Sequence, residues 1–292
     1  MKERIFRKMI EEQWDKNKFI CVGLDSDRES IPEASWRKTD EETLFYFNCA
    51  IVDATCDLVC AYKPNFAFYE GLGLSGLSAL IRTVAYIKQK SPEVLVIGDT
   101  KADIGNTNRE YVKSVFEVFG FDAVTVNPYL GREALQPFLN REEKAIFILC
   151  RTSNLGAGEF QDLPVTIDKG IVPGIDYETL PLYQWVAHQV TTEWNRAGNC
   201  GLVVGATYPE ALARVRQIAG DDVPILIPGI GIQGGSVHLA VKYGMTKRKR
   251  GAIYHSGQAI IFASKESDFM QAARRETIKL DEMIRESIRE SI

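Results

Sequence analysis

Short apolar runs alternate with longer stretches of mixed polarity along most of the chain, and this pattern predicts a repeated strand-helix unit. The apolar runs are continuous, which is typical of strands buried on both faces, whereas the intervening stretches carry apolar residues at helical spacing. The predicted strands cover residues 19–24, 57–62, 94–98, 122–126, 144–150, 201–204, 223–227 and 251–254. The predicted helices cover residues 1–16, 40–55, 75–90, 108–119, 131–139, 180–197 and 208–219, followed by a short helix and a long charged C-terminal helix. Asp40 is the candidate N-cap of the second helix.

Eight such units predict an α/β fold, a (β/α)8 TIM barrel with an additional N-terminal helix and a long C-terminal helix. We expect a single domain over residues 1–292, since this length allows one large core or two small ones. A doubly wound open sheet is the alternative. It is disfavoured because no Gly-x-Gly-x-x-Gly turn follows the first predicted strand.

Polar residues follow the predicted strands, where a barrel of this type carries its site. These residues are Asp25, Lys63, Asp99, Lys101, Asp103, Asn127, Ser153, Gln233 and Gln258. The barrel therefore predicts that they converge on one mouth. The Gly- and Pro-rich stretch 155–178 is too long for a simple connection and is interpreted as a cover of the active site.

Asp99, Lys101 and Asp103 stand at alternate positions directly after a buried strand. Two carboxylates around one ammonium are costly to hold together unless they pair or perform chemistry. With Lys63 they could form an array of alternating charge that keeps the lysines protonated, which suits loss of CO2 followed by protonation of a carbanion. A solvated loop with an incidental charge cluster is the alternative.

Residues 228–235 form a Gly-rich turn between the seventh strand and a helix. Glycines there let backbone N–H groups approach an anion, and barrels commonly bind a substrate phosphate after strands seven and eight. This segment predicts a phosphate on the substrate, a turn without function being the alternative.

Composition excludes several other classes of function. The net charge is -4 and no stripe of Lys and Arg is present, so neither nucleic acid nor a membrane surface is an expected partner, and the basic run 247–250 is interpreted as a solvated loop. None of the three histidines lies near another His or a Cys, so no metal site is expected. The six scattered cysteines predict buried free thiols. Neither a signal peptide nor a membrane span is evident, and we expect a cytoplasmic protein.

Taken together, the strand ends resemble the orotidine 5′-phosphate decarboxylase family, in particular its longer bacterial subgroup (type 2). The matching segments are Val22-Gly23-Leu24-Asp25, Ala61-Tyr62-Lys63-Pro64-Asn65, Gly98-Asp99-Thr100-Lys101, Asp103-Ile104-Gly105-Asn106-Thr107, Asn127-Pro128-Tyr129, Cys150-Arg151-Thr152-Ser153-Asn154, Pro228-Gly229-Ile230-Gly231 and Gln233-Gly234-Gly235. They occur in order and cover nearly the whole predicted barrel.

The resemblance implies cofactor-free conversion of orotidine 5′-phosphate to UMP, the last step of de novo pyrimidine synthesis. It implies that Asp99 crowds the substrate carboxylate, that Lys101 protonates C6, and that Lys63 and Asp103 complete the catalytic array. It further implies a homodimer in which Asp103 and Thr107 reach the partner's site. The substrate-binding residues that it implies are Asp25, Asn65, Thr107, Asn127, Ser153, Pro228, Gln233, Gly234, Gly235 and Gln258.

The chain departs from the family pattern at three places. The family has Asp-x-Lys-x-x-Asp, but only Ala102 separates Lys101 from Asp103, and one residue is about 3.3–3.6 Å of reach. Gln258 stands where the family has an Arg on the phosphate, a loss of roughly 1.5–3 kcal/mol for a charge-assisted contact. Leu155 stands where the subgroup usually has Pro.

Three hypotheses follow. The first is an active decarboxylase, weakened in phosphate affinity. The second is a catalytically impaired homologue that binds UMP-like ligands, motivated by the short loop and by Gln258. The third is a related phosphosugar decarboxylase, which would need a metal, so that activity unchanged in EDTA would count against it.

Overall fold

Eight parallel strands form a closed barrel in the computed structural model, which describes residues 3–100, 105–167, 179–230 and 235–291. The barrel strands, in spatial order, are β1 (Ile20–Leu24), β2 (Ala61–Pro64), β3 (Leu95–Gly98), β4 (Ala123–Val126), β5 (Ala145–Arg151), β8 (Cys200–Val204), β9 (Ile225–Ile227) and β10 (Ala252–Ser256). Pairing of β1 with β10 closes the barrel. The predicted (β/α)8 barrel is confirmed. Two further strands, β6 (Pro164–Thr166) and β7 (Thr179–Pro181), pair antiparallel outside it.

Helices follow the barrel strands and pack outside them. They are α1 (Phe6–Asp15), α2 (Asp40–Thr55), α3 (Phe66–Glu70), α4 (Gly73–Lys90), α5 (Asn108–Val112), α6 (Gly131–Leu139), α7 (Gly158–Gln161), α8 (Leu182–Gln189), α9 (Pro209–Ala219), α10 (Val237–Gly244), α11 (Gln258–Ile261) and α12 (Phe269–Ser291). Helices α5 and α8 continue as π-helical turns over Lys113–Val118 and Val190–Trp194. The predicted N-terminal and C-terminal helices correspond to α1 and α12. No helix in these described ranges is long and apolar enough to cross a membrane.

Two local predictions were wrong. The second strand begins at Ala61 and not at residue 57, because the chain turns after α2 and places Asp57 in an ion pair with Arg274 of α12 at 2.7 Å. The N-cap of α2 is Thr39, whose hydroxyl accepts a hydrogen bond from the backbone N–H of Glu42 at 3.2 Å. Asp40 is instead the first helical residue, where its carboxylate interacts favourably with the positive end of the helix dipole.

The amino-terminal end of the barrel is held by two buried charged residues. Asp122 is 1% exposed, accepts a hydrogen bond from Val96 N at 2.9 Å and pairs with Arg4 at 2.6 Å. The guanidinium of Arg216 donates to four backbone carbonyl oxygens at 2.6–2.9 Å. These acceptors belong to Gly220, Val223, Gly244 and Gly251. The hydrogen bonds and the ion pair offset the cost of burying these charges, and they connect the segments at the end of the barrel opposite the mouth.

The six cysteines are free thiols, as expected. Four of them are buried and two, Cys49 and Cys56, are half-buried. Cys21 lies inside the barrel on β1, and burial raises the pKa of its thiol to about 12 although Lys63 opposes the shift. The basic run 247–250 forms an exposed loop, as predicted.

Candidate active site

A cavity of about 770 Å³ opens at the carboxyl ends of the barrel strands. Its lining includes residues at or directly after the end of all eight barrel strands, among them Thr125 of β4 and Val203 of β8. The convergence of strand ends on one mouth follows from the parallel closed barrel.

Seven of the residues predicted from the sequence line this cavity. They are Asp25, Lys63, Asn65, Asp99, Ser153, Pro228 and Gln258. They come from six different strand ends and lie far apart in sequence, so the fold alone brings them together.

Three other predicted residues lie elsewhere. Thr107 is exposed on the turn before α5, and Asn127 is half-buried after β4 without lining the cavity. Gly235 lines a neighbouring cavity of about 590 Å³ between α10, α11 and α12. Four more predicted residues lie outside the described residues, namely Lys101, Asp103, Gln233 and Gly234.

Lys63 and Asp99 form a buried ion pair on the wall of the cavity. Nζ of Lys63 lies 2.5 Å from Oδ2 of Asp99, and the side chains are only 5% and 11% exposed. The hydroxyl of Thr125 donates to the other carboxylate oxygen, Oδ1, at 2.8 Å. Both oxygens of Asp99 are thereby held in place, which fixes the direction in which its charge faces the cavity.

Electrostatics keep Lys63 protonated. Burial by itself lowers the pKa of this ammonium, but the carboxylates of Asp99 and Asp25 outweigh it and hold the pKa above its ordinary value. The carboxylate of Asp99 would repel an anionic group placed beside it, whereas the ammonium of Lys63 would attract one. The pair therefore presents charges of both signs to one ligand.

His255 of β10 also lines the cavity and was not predicted. Its ring lies against Gly23 of β1, where an added Cβ would come within 2.5 Å of Nε2 and 2.9 Å of the Cα of Gly257. A Cβ on Gly257 would in turn lie 2.6 Å from Oδ2 of Asp25. Two glycines thus make room for the imidazole and the carboxylate in the same part of the barrel. Along β10 and the segment directly after it, Gln258 was the only residue that the sequence had indicated as part of the site.

The backbone directly after β9 is held beside the cavity by hydrogen bonds. Gly229 has φ +90, a conformation that favours glycine, and its carbonyl accepts a hydrogen bond from Gly235 N at 3.2 Å. Pro228 O accepts from Ala206 N at 2.8 Å, which ties this segment to the end of β8. Gln258 begins α11 and carries an exposed carboxamide on the same side of the cavity.

Three polar residues of the β5 region line the cavity and were not predicted as site residues. They are Thr152, Asn154 and Gln161. Thr152 and Asn154 belong to a segment already matched to the family, and Gln161 belongs to the stretch interpreted as a cover. Their spacing carried no indication of which side chains face inward. Within the described ranges, no group of three His, Cys, Asp or Glu residues is arranged to hold a metal ion.

Comparison with known proteins identifies the family. Residues 18–267 match the family model described as "Orotidine 5'-phosphate decarboxylase / HUMPS family". The orotidine 5′-phosphate decarboxylase of Thermomicrobium roseum is 45% identical over 290 residues, which covers 98% of this chain and 97% of that protein. The protein of the same name from Cellvibrio japonicus is 43% identical over 281 residues, 96% of this chain and 97% of that protein.

A solved structure supports the same assignment. The structure of Leishmania donovani OMP decarboxylase superposes with a TM-score of 0.76 at 31% sequence identity, and the match covers 96% of this chain and 98% of that chain. Its agreement extends over the whole barrel. On these grounds the chain belongs to the orotidine 5′-phosphate decarboxylase / HUMPS family.

Proposed function

We propose that the protein decarboxylates orotidine 5′-phosphate to UMP without a metal or an organic cofactor. The observation that carries the proposal is the buried Lys63–Asp99 ion pair on the wall of a cavity of about 770 Å³. Family membership with relatives named for this activity supports the choice of substrate.

In the proposed reaction, the substrate carboxylate lies beside Asp99, whose negative charge raises the free energy of the bound ground state. The bond between C6 and the carboxylate carbon breaks, CO2 leaves, and the electron pair stays on C6. The ammonium of Lys101 then donates a proton to C6, while Lys63 stabilises the developing negative charge. Asp103 would complete the array from the partner subunit.

The rest of the substrate is proposed to extend across the mouth. Ser153 would hydrogen-bond the pyrimidine ring, and Asp25 and Asn65 would bind the ribose side. The phosphate would lie near Pro228, Gln233, Gly234 and Gln258, where the Gly-rich segment can bring backbone N–H groups to an anion. Asn127 and Gly235 do not line the cavity themselves, so their contribution would be indirect.

A homodimer is the proposed active form. Thr107 is exposed and lies outside the cavity of its own subunit, which fits a role in the site of a second copy. Large apolar side chains are exposed after β4 and β5, at the same end as the mouth: Tyr129 is 90%, Leu155 98% and Phe160 67% exposed. Apolar surface in such a position favours a subunit contact. A cytoplasmic location is proposed with it.

The test is the loss of absorbance when the purified protein is mixed with orotidine 5′-phosphate. We expect turnover well above that of a Lys101→Ala variant and no change in EDTA. Turnover no higher than that of the Lys101→Ala variant would reject the proposal, and turnover abolished by EDTA would favour a metal-dependent relative.

A catalytically impaired homologue that binds UMP-like ligands is the second candidate function. It is favoured by the missing residue between Lys101 and Asp103 and by Gln258 in place of an Arg. Tight UMP binding in a calorimeter, without turnover, would establish this alternative.

A further inference from the structure

The chain that follows β5 folds back to form one wall of the cavity. It passes through the turn Leu155–Ala157 and then α7, and its side chains Asn154, Ala157 and Gln161 line the cavity. A wall built from such a short helix has little stability of its own, because isolated helical turns are marginal. Its position must be fixed by contacts with the barrel.

Arg151, the last residue of β5, fixes the far end of this wall. Its Nε and Nη2 lie 2.8 and 3.0 Å from the two carboxylate oxygens of Asp162, a bidentate pair. The guanidinium carbon lies 3.8 Å from the centre of the Tyr208 ring, and Nη1 donates to the carbonyl of Thr152 at 2.9 Å. Arg151 is 4% exposed, so this pair is shielded from solvent on one side. Gly158 leaves room for it, since a Cβ there would lie 2.6 Å from Asp162 Oδ2.

Gln161 precedes Asp162, so the ion pair between Arg151 and Asp162 also brings the Gln161 carboxamide to the end of β5. Oε1 of Gln161 accepts a hydrogen bond from Thr152 N at 2.9 Å, and Nε2 donates to the Thr152 hydroxyl at 3.2 Å. One side chain therefore satisfies both the backbone donor and the hydroxyl of Thr152. A carboxamide carries the acceptor and the donor that this arrangement needs, whereas leucine of similar size carries neither.

Ser153 is the next residue and is held closely from the other side. A Cβ on Gly205 would lie 2.8 Å from Ser153 N and 2.9 Å from its Cα, so the backbone of Ser153 rests against that glycine. Gly205 N donates to Arg151 O at 2.8 Å, which ties the end of β5 to the end of β8. With Thr152 held by Gln161, the position of the Ser153 hydroxyl in the cavity is set by contacts on both sides.

We infer that Gln161 is a positioning residue for the pyrimidine end of the ligand, acting through Thr152 on the hydroxyl of Ser153. The inference rests on the proposed function for the identity of the ligand. It assigns a task to a side chain that the resemblance to the family did not single out.

The experiment compares UMP binding by calorimetry in the wild type, Gln161→Leu, Ser153→Ala and the double variant. We expect each single substitution to weaken UMP roughly tenfold, the loss of about one buried hydrogen bond. We expect the double variant to be no more than about twofold weaker than the worse single variant, because both changes interrupt one chain of contacts. Gln136→Leu is the matched control, since the carboxamide of Gln136 on α6 donates to Oδ1 of Asn140, just after that helix, at 2.6 Å and away from the cavity.

Additive losses, near a hundredfold in the double variant, would overturn the inference, as would wild-type affinity in Gln161→Leu. If Gln161→Leu does not fold, Thr152→Val replaces it in the experiment. This substitution removes the hydroxyl to which Nε2 of Gln161 donates. Its effect on UMP affinity should be equally non-additive with that of Ser153→Ala. Turnover of the wild type is measured separately. Its absence, with binding and non-additivity intact, would reject the proposed function and leave the inference standing.

Discussion

The ammonium of Lys63 and the carboxylate of Asp99 lie 2.5 Å apart although they are separated by 36 positions in the sequence and end neighbouring strands. Their contact follows from the parallel pairing of β2 with β3. Removal of one partner leaves the other charged and poorly solvated, and breaking a buried pair typically costs about 3–5 kcal/mol.

We therefore expect Lys63→Met to lower the free energy of unfolding by about 3 kcal/mol and to reduce turnover of orotidine 5′-phosphate at least about a hundredfold. Urea denaturation and steady-state kinetics measure the two effects. The matched control is Lys90→Met, which removes an exposed ammonium 2.7 Å from Asp53 and should leave stability nearly unchanged. Equal effects of the two substitutions would contradict the importance of burial.

Alkaline pH should destabilise the protein through its buried thiols. Burial raises the pKa of Cys21 to about 12, whereas a thiol in the unfolded chain ionises near about 8.5. Between these values the unfolded chain releases a proton that the native state keeps, so stability falls as pH rises, by up to about 1.4 kcal/mol per pH unit for each such thiol. Unfolding free energies measured from about pH 8 to about pH 11 should fall less steeply in Cys21→Ala. An unchanged slope in that variant would show that the Cys21 thiol ionises over the same pH range in the native state as in the unfolded chain.

Gly23→Ala tests the packing of His255 inside the barrel. The new Cβ would meet Nε2 of His255 at 2.5 Å and the Cα of Gly257 at 2.9 Å, so the ring and the start of α11 must shift. Overpacking of this kind typically costs about 1–3 kcal/mol, and we expect a weaker affinity for UMP as well. Thermal unfolding and calorimetry provide the readouts. Gly156→Ala is the control, since its nearest neighbour would be the flexible carboxylate of Glu159 at 3.4 Å.

Gln258→Arg tests where the anionic end of the ligand binds. An added guanidinium on the first residue of α11 would supply a charge-assisted contact worth roughly 1.5–3 kcal/mol, so kcat/KM should rise about 10- to 150-fold. The same substitution should strengthen the binding of UMP but not that of uridine, which lacks the phosphate. Equal gains for both ligands would place the phosphate elsewhere.

Insertion of one residue between Lys101 and Ala102 tests the shortened loop. It restores the family spacing Asp-x-Lys-x-x-Asp, and because a misplacement on the order of 1 Å can cost about 10²-fold, kcat should rise by about that factor. Insertion of one residue within the exposed basic loop 247–250 is the control and should leave kcat unchanged. No gain from the first insertion would show that the native loop already places its carboxylate productively.

The barrel and much of its mouth could be predicted because strands buried on both faces leave continuous apolar runs, and polar residues such as Asp25 and Lys63 end those runs. The placement of Asn127 could not be predicted in the same way. Thr125 of β4 faces the cavity and bonds Asp99, but β4 ends at Val126, so the alternation of side chains no longer determines the direction of the next residue.

The residues that sequence reasoning missed depend on partners distant in the chain. His255 fits inside the barrel because Gly23 has no side chain, and Gln161 reaches Thr152 because Arg151 binds Asp162. Neither relationship leaves a periodic pattern. Such contacts follow from the folded backbone and become visible only in three dimensions.

The buried charges of Arg216 and Asp122 lie at the barrel end away from the mouth, where they bond backbone and side-chain partners. These bonds stabilise one rim of the barrel, while the ligand chemistry takes place at the other. A lineage with this architecture can gain or lose a residue in a loop above the pocket and still produce a well-folded protein. Natural selection can therefore alter the reaction, or abandon it, without first rebuilding the scaffold.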